Sequence, residues 1–127
     1  MTIDPGLHRR AQAAVKQLMS DVKGAKAVVI ATEDGFEVAA QVENTAQVAR
    51  LSAMASSLAA LGAMAGEESQ LGVCQSMMME AAEGFISIVQ IRRPELSLIM
   101  SVVAGREAVV GQVLYFSKQA ALALQQD

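Results

Sequence analysis

The chain has 127 residues and a mass of 13.3 kDa, enough for one domain with a single core, and its net charge of −3 excludes the basic footprint of a nucleic-acid binder. Hydrophobic residues make up 53% and aromatic residues only 3%, so the core has to be built from Val, Ile, Leu, Met and Ala. One cysteine excludes an internal disulfide, and the opening MTIDPGLHRR lacks the apolar run of a signal peptide, which gives the expectation of a cytoplasmic protein.

The first helix is bounded by Asp4 as a cap, Pro5 in its first turn and Gly24 just beyond its end. Leu7, Ala11, Ala14, Val15, Leu18, Met19 and Val22 recur at helical spacing, opposite Arg9, Arg10, Lys16 and Lys23. A solvated basic face is the simpler reading of those four charges. A hairpin follows. Residues 27–32 form a Val- and Ile-rich strand, Glu33-Asp34-Gly35 supplies a tight turn, and Phe36, Val38, Ala40 and Val42 alternate with polar or small neighbours as in a half-buried strand. Asn44 or Thr45 then caps a second helix.

That second helix, residues 45–66, is the unusual element, because Arg50 is its only charged residue. At ~100° per residue it divides into two unlike faces. Val48, Leu51, Met54, Ala55, Leu58, Leu61 and Gly62 form the stripe expected to pack on a sheet. The opposite side carries Ala49, Ser52, Ala53, Ser56, Ala60, Ala63 and Met64, with Arg50 and Ser57 at its margin. A helix facing water should show charges there, so both faces are expected to be covered, one by the chain's own sheet and one by a second protein. Two other placements compete: a helix buried on both sides within one domain, and a membrane span. The uncharged run after Arg50 is near the lower limit of ~17 residues for a span and is mostly Ala, Ser and Gly, which argues against stable membrane insertion.

Glu67-Glu68-Ser69-Gln70 reads as a polar connection, and residues 71–82 as an apolar strand around Met77-Met78-Met79. After a turn at Ala82-Glu83-Gly84, Phe85, Ser87, Val89 and Ile91 alternate with Ile86, Ile88, Gln90 and Arg92 in a central strand. Arg93-Pro94-Glu95 turns the chain into a further strand over residues 96–104. A last helix runs from Arg106 or Glu107 to about Leu124, with Val110, Val113, Leu114, Ser117, Ala121 and Leu124 on one face. The order α-β-β-α-β-β-β-α implies an α+β fold with a five-stranded, mainly antiparallel sheet and helices on both faces.

No catalytic constellation emerges. His8, the only histidine, lies on the polar side of the first helix, and the lone Cys74 reads as a small apolar residue. Neither a metal-ligand spacing nor a phosphate-cradling glycine loop is present in the sequence, so no cofactor is expected and no enzymatic activity. In a strand, Met77 and Met79 would point one way and Met78 and Cys74 the other, so the methionines read as filler for a core or an interface. An apolar strand placed first in its meander is also a candidate sheet edge, open to pairing with another chain.

The hairpin VVIATEDGFEVAA, the helix ARLSAMASSLAALGAMAG, the strands GFISIVQI and LSLIMSVVA and the closing GQVLYFSKQAALAL together resemble the Roadblock family of dynein-light-chain-like domains, over residues from about Leu7 to Leu124. The resemblance implies one domain across residues 1–127, a profilin-like three-layer sandwich with strand order 2-1-5-4-3, and a homodimer. It implies that the third strands, near residues 72–82, pair across the twofold axis while the second helices, residues 48–66, lie side by side. It implies an interface of Ala49, Arg50, Ser52, Ala53, Ser56, Ser57, Ala60, Ala63, Met64, Met77, Met78 and Met79, and a Ras-like small GTPase as partner, whose hydrolysis some bacterial members stimulate. A structural scaffold without such a partner, and a small-molecule sensor, are the alternatives.

Overall fold

The computed structural model describes residues 3–43 and 48–126. Within them the elements follow the expected order: α1 (Pro5–Asp21), β1 (Ala25–Thr32), β2 (Glu37–Val42), α2 (Val48–Glu68), β3 (Ser76–Ala81), β4 (Gly84–Arg92), β5 (Ser97–Gly105) and α3 (Val110–Gln125). The strands make one sheet in the order β2-β1-β5-β4-β3, with every neighbouring pair antiparallel. Helices α1 and α3 pack together on one face, and α2 covers the other.

Local chemistry explains the boundaries. The Asp4 carboxylate accepts from the Leu7 N–H at 3.0 Å, so it caps α1 directly ahead of Pro5. Leu7, Ala11, Val15 and Leu18 of α1 are buried, as the helical spacing requires. In the β1–β2 turn, Thr32 Oγ1 donates to Asp34 at 2.6 Å and accepts from the Phe36 N–H at 3.0 Å, while Gly35 takes a φ of +93° that an L side chain avoids. The hydrogen bond from Thr32 holds the exposed Asp34 carboxyl below the ordinary carboxylate range.

Phe36 does not join the buried face of the hairpin; it is 68% exposed, and Val38 and the neighbouring Ala39 both enter the core. A break in the β1–β2 register between Ile30 and Ala31 shifts the phase of the alternation there. The expected cap at Asn44 or Thr45 lies outside the described residues. At its other end α2 runs on through Glu67 and Glu68 instead of stopping at Gly66. It ends in a paired turn: Gln70 N–H bonds Glu67 O, Leu71 N–H bonds Gly66 O, and Gln70 takes a φ of +59°.

The expected strand over residues 71–82 shortens to β3, because residues 71–75 first double back along the helix end. A Cβ on Gly66 would fall 2.5 Å from the Gly72 carbonyl oxygen, so glycine is what permits this approach. Helix α3 starts at Val110, later than expected, after a turn in which Ala108 N–H bonds Gly105 O. Val113, Ser117, Ala121 and Leu124 are its buried face, as its spacing indicates.

The main core lies between the sheet and α1/α3 and includes Val15, Val28, Ile30, Ile91, Leu98, Met100 and Val102. A smaller cluster lies beneath α2, made of Ala55, Ala59, Ile88 and Ile99 with Leu58, Met77 and Ile86 at its border. Two arginines read as solvent or turn residues fasten the end of α3. Arg10 donates to the Ala123 and Gln126 carbonyls, and Arg93 donates to the Leu124 carbonyl at 2.6 Å while pairing with Glu95. They satisfy carbonyls that a helix C-terminus leaves without intrahelical partners, and they complement its negative dipole end.

Candidate protein interface

Helix α2 meets the sheet through its smallest side chains: Ser52, Ala55, Ala59 and Gly62 are buried along one seam. The expected orientation is corrected here. Ser52, assigned to the outer face, is fully buried, whereas Met54 and Leu61, assigned to the core, are 49% and 59% exposed. The reason lies in the opposing layer. The sheet supplies large side chains, Ile88 and Ile99, so close approach selects the small stripe of the helix. Gly62 shows how close: a Cβ there would fall 2.6 Å from Met77 Sδ and 3.1 Å from Cys74 Sγ. Cys74 therefore shares a side with Met77, contrary to strand alternation, because it precedes β3 and is not part of it.

With that seam inward, Ala49, Arg50, Ala53, Ser57, Ala60, Ala63 and Met64 are exposed, with Leu61 among them. Ser56 is half-buried, its hydroxyl donating to the Ala53 carbonyl at 3.1 Å, beside the β1–β2 turn at Gly35. The outer surface of α2 between Arg50 and Glu67 thus carries no charged side chain.

The three methionines of β3 divide. Met77 is half-buried against the cluster under α2, opposite Ile88. Met79, opposite Ile86, is 46% exposed on the same side. Met78 turns to the other face and packs against the main core, so Met78 and Ser52 stand apart from the other interface candidates. Beside α2, Leu51, Met54, Leu58, Met79, Ile86 and Ile88 line an apolar groove of about 510 Å³, with Arg50 at its border. Ser101 lines it too, its buried hydroxyl without a hydrogen-bond partner among the described residues. Next to the groove, β3 is the last strand of the sheet, and Glu80 is its only charge. An outer helix face, a groove and a strand edge, all low in charge, adjoin on one side of the molecule. Leu51, Met54, Leu58 and Leu61 are the members of this surface that the wheel had placed against the sheet. Their signal was the run of large side chains on the strands below, not anything in the helix itself.

For chemistry the surface offers little. Among the described residues no three His, Cys, Asp or Glu side chains group as metal ligands, and Asp34, whose carboxyl is lowered in pKa, sits in the hairpin turn. What the surface can do is bind an apolar, complementary face.

The sequence model of the Roadblock/LC7 domain matches residues 12–98, well over half of the chain. The chain belongs to the Roadblock/LC7 family. Solved structures agree with the fold. A Roadblock/LC7 domain from Streptomyces avermitilis superposes with a TM-score of 0.80 at 19% identity, covering 89% of this chain and 92% of that one. An MglB in a tetrameric arrangement gives 0.86 at 16% identity, covering 98% and 92%. The likeness extends to Acanthamoeba castellanii profilin II, with a TM-score of 0.53 at 13% identity over 90% and 95%. No curated protein matches by sequence. The profilin-like α/β/α sandwich implied by the sequence is therefore the fold of this Roadblock/LC7 chain.

Proposed function

We propose that this Roadblock/LC7 chain is a non-enzymatic, homodimeric regulator or adaptor of a Ras-like small GTPase, dimerising through α2 and β3. The observation that carries the dimer is the adjacency of an uncharged outer helix face and an open, nearly uncharged strand edge. Left uncovered, such an edge invites pairing with another strand, and apolar side chains such as Leu61, Met64 and Met79 would stay in water. A twofold copy covers both at once, since each surface is self-complementary in composition. The tetrameric arrangement of the MglB relative supports self-association of this fold.

Helix α2 is also long and apolar enough to cross a membrane by length and composition. Its buried seam against the sheet and its Ala/Ser/Gly composition favour a protein neighbour over lipid. The GTPase part of the reading rests on family membership, together with the paired helices such a dimer would present outward. No side chain is assigned the role of a catalytic arginine.

The test is calorimetric titration of the purified chain with a Ras-like GTPase from the same genome, loaded either with GDP or with a non-hydrolysable GTP analogue. Binding that differs between the two nucleotide states supports the regulator. Equal binding in both states points to a scaffold, and absence of binding in both removes the GTPase reading.

A further inference from the structure

On the α3 side of the sheet a second groove of about 510 Å³ opens between α3 and the residues that lead into β3. It arises from a mismatch in strand length. Pairing of β3 with β4 begins at Ser76 opposite Val89, yet β4 continues beside β5 as far as Arg92 opposite Ser97. The edge of β4 from Gln90 to Arg92 therefore has no strand beside it. Gln90 N–H still reaches the Gln75 carbonyl at 3.1 Å. Two residues on, Arg92 N–H is met only by a side chain, the Gln125 amide oxygen at 3.1 Å, from the last residue of α3. An acceptor oxygen from a side chain thus occupies the place a neighbouring strand's carbonyl would take.

The lining of this groove is two-fold in character. Val89 and Ala121 are buried beneath it, and Val73 and Leu122, 67% and 51% exposed, border it. Its only charged residues are Arg92 and Lys118, both cations, in a chain whose net charge is −3. Arg92 donates to the Cys74 carbonyl at 3.2 Å, and Lys118 has no ion-pair partner among the described residues. Apolar walls, positive charge and an open strand edge coincide here.

We propose that this groove binds an extended, acidic segment of a partner protein in which carboxylates and apolar residues stand two apart. Lys118 and Leu122 stand one turn apart on the same side of α3, and residues two apart in an extended chain also share a side, so a carboxylate can meet Lys118 while an apolar residue two positions away packs on Leu122. A main-chain carbonyl of the segment displaces the Gln125 oxygen from Arg92 N–H and continues the ladder that β3 leaves unfinished. No residue of α2 lines this groove, so this inference does not rest on the dimer or on the GTPase.

The experiment uses fluorescence anisotropy with the full chain and a labelled, end-blocked heptapeptide in which Glu and Leu stand two apart with Ser between them, against its counterpart with Lys in place of Glu. The acidic peptide binds at least about tenfold tighter than the basic one, and the difference shrinks at high salt. Lys118→Glu weakens the acidic peptide by about tenfold and Leu122→Ser weakens it too, while the sedimentation of both variants stays that of the unmodified chain. Equal affinity for the two peptides, no binding of either, or indifference to Lys118→Glu overturns the proposal. Loss of acidic-peptide binding in Ser57→Glu, with Lys118→Glu unaffected, moves the site to the α2 surface and overturns it as well.

Discussion

Truncating Leu61 to alanine separates association from folding. Leu61 is 59% exposed on the outer side of α2, so most of its side chain adds nothing to the monomer's core. Burying a whole leucine side chain is worth about 1.5–3 kcal/mol, and three-fifths of that is roughly 1–2 kcal/mol per copy. A twofold interface contains the residue twice. The proposed dimer should therefore lose about 2–3 kcal/mol after the contribution retained by alanine, a rise in Kd of roughly 30- to 150-fold. Folding stability of the monomer should change by no more than about 0.5 kcal/mol, the usual range for an exposed position. Sedimentation velocity over a dilution series gives the first quantity, and urea unfolding under dissociating dilution gives the second. A Kd unchanged within about threefold would refute the placement of Leu61 in the interface. A loss of stability above about 1 kcal/mol would refute its exclusion from the core.

Three further outcomes test the description of the fold. Gly84 has a φ of +152° and a Cβ there would lie 2.0 Å from the Ala104 carbonyl oxygen, so Gly84→Ala should cost more than about 2 kcal/mol and lower the melting temperature by roughly 10 °C; a shift under 2 °C contradicts the geometry. Arg93→Ala removes a largely buried guanidinium from the Leu124 carbonyl and should cost about 1.5–3 kcal/mol, with faster amide exchange in the last turn of α3 than elsewhere. The Thr32 hydrogen bond lowers the Asp34 pKa relative to the unfolded chain, so its stabilisation is present above the ordinary value of 3.8 and is lost as the pH falls through the depressed folded value. In an NMR titration the Asp34 carboxyl should have its midpoint below 3.8 and move upward in Thr32→Val; no movement would mean the hydroxyl is not the cause.

The element order and the identity of the core strands were legible in the sequence because they rest on robust signals, whereas the strand order came only through the family resemblance. Asp4-Pro5 and Gly35 punctuate the chain, alternation marks β4, and helical spacing marks α1 and α3. The rotation of α2 was not legible. A wheel assigns the largest apolar side chains inward, but the fit between layers is a property of both, and Ile88 and Ile99 left room only for Ser52, Ala55, Ala59 and Gly62. Nor was the start of β3, since the doubling back at Gly66 and Gly72 depends on a backbone approach that no local pattern encodes. Arg10 and Arg93 were opaque for a similar reason: their acceptors are carbonyls at the far end of the chain. An interface on α2 can still be proposed after the rotation because that helix is poor in charge on every side. Of the proposed members, Ser52 and Met78 turn inward, while Leu61 and Met54 lie on the outer side instead.

The mass of the unmodified chain in solution tests the central claim most directly. Sedimentation equilibrium at micromolar concentration should give twice the chain mass of 13.3 kDa, and Ser57→Glu, which would bury an unpaired charge against its twin on the outer face of α2, should return the chain to a monomer. A mass of one chain for the unmodified protein at every concentration up to about 100 μM, well above the Kd of a stable interface, would contradict the account.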